Sequence, residues 1–78
     1  MNTKQLFNRE VLDINAKLIG KVIDIEFDKQ QGVIDHLVVK AGLVKYYEIS
    51  FKNITAIGEK ILLNVDEDQL KRKTTILM

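Results

Sequence analysis

The chain has 78 residues, 46% of them hydrophobic and 29% charged, with a formal net charge of +1. That composition makes one small globular domain, close to the size at which a core needs outside support. With no cysteine and one histidine, disulfides, thiolate metal sites and histidine-rich clusters are excluded, and the near-neutral charge lacks the basic face that nucleic-acid binding calls for.

No apolar run exceeds three residues, far short of the roughly 20 that cross a bilayer. The N-terminal residues Met1–Gln5 carry a charge but no apolar segment behind it, unlike a signal peptide. The expectation is a cytoplasmic chain without membrane insertion. There is no proline, and the four glycines are scattered, so no linker, low-complexity tract or repeat divides it. One domain spans 1–78, with a core over about 5–65 and a C-terminal tail over 66–78.

In chain order, Met1–Asn8, with Leu6 and Phe7, reads as a short lead-in turn or helix, and Glu10–Ile14 reads as a short strand. Asn15 and Ala16 turn the chain, with Asn15 the residue tolerant of a left-handed conformation. A long strand, Leu18–Asp28, comes next. Its apolar residues Ile19, Ile23, Ile25 and Phe27 alternate with Lys21, Asp24, Glu26 and Asp28 closely enough to predict one apolar face. Gly20 marks a bend or bulge inside it. The turn Asp28–Gly32, with Gly32 at positive φ, leads to a second strand over Val33–Lys40. There Ile34 falls on the opposite face from Leu37 and Val39, so a bulge at Asp35–His36 is predicted, which brings all three inward.

Ala41–Val44 is the next turn. Lys45–Phe51 alternates cleanly, with Tyr47, Ile49 and Phe51 on one side and Tyr46, Glu48 and Ser50 on the other. A tight connection at Lys52–Ile54 leads to Thr55–Ile57, a turn at Gly58–Glu59, and a strand over Lys60–Val65 that faces Ile61, Leu63 and Val65 one way. Five to six short strands with little helix predict an all-β fold. At this size a small closed barrel is favoured, because closure removes exposed edges. Asp66–Lys73 has acids first and bases last, which suits one or two helical turns capped by Asp66. Thr74–Met78 is apolar and β-prone.

The chemistry-bearing residues are sparse. His36 stands beside Asp35 without a nucleophile or orienting partner in sequence reach, so it reads as a surface or bulge residue. Ser50 has no histidine near it in sequence. Asp24, Glu26 and Asp28 recur at period 2 and share one strand face, where oxygen ligands suit a divalent cation. They lack the turn and spacing of a calcium loop and read as a solvated face paired with lysines. No phosphate-cradling glycine pattern is present, and Tyr46, flanked by Lys45, is a single candidate for base stacking. The chain is therefore expected to be no enzyme and to carry no cofactor or metal. Alternation leaves Leu43, Val44 and Tyr46 outward. With Ile76, Leu77 and Met78 of the tail, these are the candidate protein-binding residues, suited to burial in a homodimer.

The order of features then resembles a known family. A short strand precedes Ile19–Asp28, followed by Gly32–Val39, then Tyr47–Ile49, then Asn53–Gly58, and this succession resembles the PRC-barrel family over about residues 5–65. Family members often have a glycine before the lysine at the first turn, where this chain has Ala16 and Lys17. Many have a proline where Ser50 stands here. The resemblance implies a small β-barrel, found in the H subunit of the photosynthetic reaction centre, at the C-terminus of a ribosome maturation factor, and as stand-alone bacterial and archaeal proteins. It implies a docking or assembly module without catalytic residues, bound to a protein partner, with some archaeal members linked to cell division. The alternative it brings is a ribosome-associated or RNA-processing factor. Gly20, Val22, Asp24, Gly32, Ile57 and Gly58 match the recurrent family positions, as turn and core determinants.

Overall fold

The long hairpin is the centre of the molecule. The computed structural model describes residues 3–73. Seven strands form one sheet: β1 (Glu10–Leu12), β2 (Leu18–Asp28), β3 (Val33–Ala41), β4 (Lys45–Ser50), β5 (Ile54–Ile57), β6 (Ile61–Leu63) and β7 (Lys71–Arg72). Their spatial order is β5-β6-β1-β2-β3-β4-β7. All neighbours are antiparallel except β1 and β6, which run parallel with Val11 opposite Ile61. Single 3₁₀ turns at Thr3–Gln5, Phe51–Asn53 and Glu67–Gln69 punctuate the strands. Among the described residues the end strands β5 and β7 do not pair with each other, so the expected closure is absent and the sheet keeps two edges.

Curvature comes from irregular pairing. Between β2 and β3 the register passes from Glu26 opposite His36 to Phe27 opposite Ile34, so Asp35 is the extra residue. This is the bulge expected at Asp35–His36, and it leaves Leu37 and Val39 fully buried with Ile34 packed against them. A second shift, from Val22 opposite Val39 to Asp24 opposite Val38, leaves Ile23 extra on β2. A third, between β1 and β2, skips Ile19. Each extra residue reverses the facing of the residues beyond it.

The expected apolar face of β2 is corrected accordingly. Ile19, Val22 and Ile25 are buried, three residues apart, while Ile23 and Phe27 are 41% and 51% exposed. Strict alternation cannot survive a strand that carries two extra residues of its own, Ile19 and Ile23. Gly20 sits where β2 presses against β3: a Cβ there would collide with the carbonyl oxygen of Lys40.

The interior gathers Leu6, Val11, Val22, Leu37, Ile49 and Ile61 from across the sheet, with Tyr47 and Leu63 beside them. Each such side chain withdrawn from water contributes about 1.5–3 kcal/mol. As expected, Tyr47 and Ile49 point inward from β4, and Ile61 and Leu63 from β6. The left-handed residue of the first turn is Ala16, at φ 63°, in place of Asn15. Gly32 has the expected positive φ of 69°.

Within the described residues, the segment after Val65 returns to the sheet. The carboxylate of Asp66 accepts the backbone N–H of Gln69, whose side chain accepts that of Asp66 in turn, capping a single 3₁₀ turn where one or two helical turns were expected. Leu70 then packs on the interior and Lys71–Arg72 pairs with β4, adding a seventh strand. What holds this segment is Asp13, buried at 4% exposure. Its Oδ1 accepts the N–H groups of Asn15 (2.8 Å) and Lys17 (2.9 Å), and its Oδ2 that of Glu67 (3.2 Å).

Candidate functional site

Register places three titratable side chains abreast on the outer face of the sheet. Glu26 on β2 lies opposite His36 on β3, and Glu48 on β4 lies opposite Val38, two pairs along. Side chains two apart on one strand share a face, so His36 and Glu48 meet diagonally. His36 Nε2 is 2.8 Å from Glu26 Oε1 and 3.6 Å from Glu48 Oε2. The imidazole is 17% exposed, and its Nε2 is buried without a well-aligned hydrogen bond, since Glu26 lies off the ring-nitrogen axis.

The bulge contributes a fourth group. Consecutive side chains on a regular strand point to opposite faces, yet Asp35 Oδ2 is 3.1 Å from His36 Nδ1. A carboxylate only accepts, so Nδ1 donates and carries the proton in this pairing. That leaves Nε2 as the ring nitrogen nearest the two glutamates.

Positive charge arrives from the end of the described chain. Lys73 Nζ bridges Glu26 Oε2 at 3.4 Å and Glu48 Oε2 at 3.6 Å, and Lys71 Nζ is 3.5 Å from Glu48 Oε1. The hydrogen bond to Glu26 raises the pKa of the Lys73 ammonium. Lys73 is positioned by its own backbone, whose N–H donates to the carbonyl of Tyr46 at 2.9 Å. Beside the cluster is a surface depression of about 380 Å³, bordered by Ser50, Asn53, Gln69 and Leu70.

The acids singled out from sequence do not converge. Of Asp24, Glu26 and Asp28, Glu26 alone joins the cluster. Asp24 accepts the N–H of Ile25 at 2.8 Å, and Asp28 accepts those of Gln30 and Gln31 in the hairpin turn. Ser50, with no histidine near it in sequence, is brought opposite His36 by the β3–β4 pairing. Glu48 carries no sequence signal for this site, because pairing register decides its place.

The candidate interaction residues lie elsewhere. Leu43 and Val44 stand at the tip of the β3–β4 hairpin, 89% and 81% exposed, after Gly42 at φ 71°. A shallow depression bordered by Leu18, Ile23, Lys21 and Lys40 reaches Gly42 at the base of that tip. Tyr46 is half-buried, with the Lys40 ammonium 5.8 Å from its ring centre, an arrangement that occupies the face a base would stack on. Ile76, Leu77 and Met78 lie outside the described residues.

A single bent sheet of seven strands, with three 3₁₀ turns as the helical content of the described residues, defines a small all-β module. The PRC-barrel domain model matches residues 1–70, and the chain belongs to the PRC-barrel family. No curated protein matches the chain. None of the described helices is long and apolar enough to cross a membrane.

Proposed function

We propose that this chain is a non-catalytic protein-interaction module that pairs with a second copy of itself and docks onto a protein partner. The observation that carries the reading is the hairpin tip. Leu43 and Val44 are adjacent, almost fully exposed, and held out at the end of the paired strands β3 and β4. Withdrawing two such side chains from water is worth about 1.5–3 kcal/mol each, and two copies meeting tip to tip bury four. The neighbouring exposed Leu18 and Ile23 extend the apolar surface toward β2.

Docking onto an assembly such as the division machinery is a narrower form of the same reading, drawn from family resemblance. The RNA-associated alternative draws no support from Tyr46, whose ring is already faced by Lys40.

Light scattering coupled to size exclusion tests the proposal on the full chain of 9.0 kDa. The wild type is expected to show twice the chain mass at high concentration, and the double variant Leu43→Ser, Val44→Ser the mass of one chain with an unchanged melting temperature. A wild type that stays monomeric at high concentration overturns the self-association.

A further inference from the structure

The cluster on the outer face has a geometry that an ion pair does not require. We propose that Glu26, His36 and Glu48 form a binding site for a divalent transition-metal ion of the zinc type, with Asp35 as its orienting residue.

Three observations carry this. One ligand atom from each of the three side chains falls within 4.8 Å of the others. Zinc bonds to nitrogen and oxygen of about 2.0–2.2 Å in a tetrahedron place ligand atoms roughly 3.4 Å apart. The separations of 2.8 and 3.6 Å from Nε2 straddle that value. The second observation is direction. A hydrogen-bond acceptor belongs on the nitrogen axis, whereas a co-ligand of a shared metal belongs to one side of it, with the metal on the axis. Glu26 Oε1 is close but off-axis, and Nε2 makes no aligned hydrogen bond.

The third observation is the support behind the imidazole. Asp35 Oδ2, 3.1 Å from Nδ1, accepts that nitrogen's proton and holds the ring so that Nε2 is the nitrogen offered to a metal. Histidines that bind metals characteristically donate their other ring N–H to a carboxylate or carbonyl in this way. The β3 bulge is what supplies it, by leaving Asp35 as the unpaired residue next to His36.

Two carboxylates converging on one ring nitrogen favour a cation between them. Lys73 supplies one from the side, its ammonium bridging Glu26 and Glu48. A metal on the Nε2 axis would replace that ammonium, and the long lysine side chain is free to swing into solvent. Imidazole with two carboxylates suits zinc and its transition-metal neighbours, while magnesium and calcium prefer all-oxygen shells.

Isothermal titration of the full chain with Zn²⁺ tests the site, with Mg²⁺ as the contrasting ion. The expected result is saturable uptake of one Zn²⁺ per chain and no response to Mg²⁺. His36→Ala and Glu48→Gln are expected to abolish the uptake, and Asp35→Asn to weaken it about 10-fold. Lys73→Ala is expected to tighten it by removing the competing ammonium. Circular dichroism identifies any variant that fails to fold, and Asp35→Asn and Lys73→Ala change side chains at the rim of the cluster. Absence of saturable Zn²⁺ uptake overturns the proposal. So does uptake that survives in folded His36→Ala and Glu48→Gln, or binding by Lys73→Ala that is no tighter than wild type.

Discussion

The carboxylate of Asp13 accepts the backbone N–H of Glu67 at 3.2 Å, across a separation of 54 residues. The same side chain closes the turn after β1 through Asn15 and Lys17. One buried acid thus fastens the end of the chain to its beginning. The pairing continues outward, where Glu67 bonds Lys17 at 2.5 Å and receives the Tyr47 hydroxyl at 3.4 Å.

Asp13→Ala is expected to lower the melting temperature by about 10 °C or more, because three N–H groups lose their acceptor and each unsatisfied group is costly. Asp13→Asn keeps one acceptor oxygen and is expected to lose less. Thermal denaturation followed by circular dichroism ranks the two, and an Ala variant as stable as wild type would remove Asp13 from the role described.

Ile49, on β4, is 1% exposed. Ile49→Asp is expected to leave no folded population, since an unpaired buried charge costs several kcal/mol against a total stability of about 5–15. Ile23→Asp is the contrast: its side chain is 41% exposed, so the variant is expected to fold and melt within a few degrees of wild type. A one-dimensional proton NMR spectrum separates folded from unfolded chains. The opposite ranking would mean that the β2 bulge at Ile23 is misplaced.

Gly20→Ala forces a Cβ into the carbonyl oxygen of Lys40, and the two longest strands must move apart. A cost of about 1–3 kcal/mol is expected, as for overpacking, read as a lower urea midpoint. Gly58→Ala meets nothing nearer than 4.0 Å and has no positive φ, so its midpoint is expected to stay within error of wild type. Equal midpoints for the two variants would contradict the close approach of β2 and β3.

Stability is expected to fall on acidification. Hydrogen bonds hold three carboxyls below their usual range: Glu10 through Lys60, Asp13 through the backbone of Lys17, and Glu67 through the Lys17 ammonium. Because each folded pKa is depressed, the stabilisation is complete above the ordinary values of 4.5 and 3.8. It is lost as pH falls through the lower folded values. On the alkaline side the sign reverses. Lys17 is raised by its bond to Glu67 and Tyr47 by burial, so their contributions hold below about pH 10 and fade above it. Urea unfolding at pH 3, 7 and 11 is expected to give its highest midpoint at pH 7. A flat profile from pH 7 to 3 would show that these acids contribute nothing to folding.

Much of the strand plan is legible in the sequence, because Gly32 and the clean alternation about Tyr47 and Ile49 are local signals. The bulge at Asp35 is legible as well, since Ile34 could not otherwise share a face with Leu37. The bulge at Ile23 is not, because Ile23, Ile25 and Phe27 satisfy a regular strand equally well. Strand order is hidden too: the parallel pairing of β1 with β6 leaves no trace in either three-residue segment. For the same reason the outer-face cluster is half visible. His36 and Asp35 stand together in sequence, but the partners Glu26 and Glu48 are chosen by register, and Lys73 by the short β7 pairing.

That parallel pairing also sets the timetable of folding. Val11 cannot meet Ile61 until some fifty further residues have left the ribosome, and Asp13 must wait longer still for Glu67. The β2–β3–β4 meander closes through local turns and is free to form during synthesis. The final step, docking the β5–β6 hairpin onto β1, belongs to the slow, long-range class of contacts. A nascent chain halted before Ile61 therefore holds a meander with the outer flank of β1 uncovered, and it is in that interval that the protein is most open to capture by another strand.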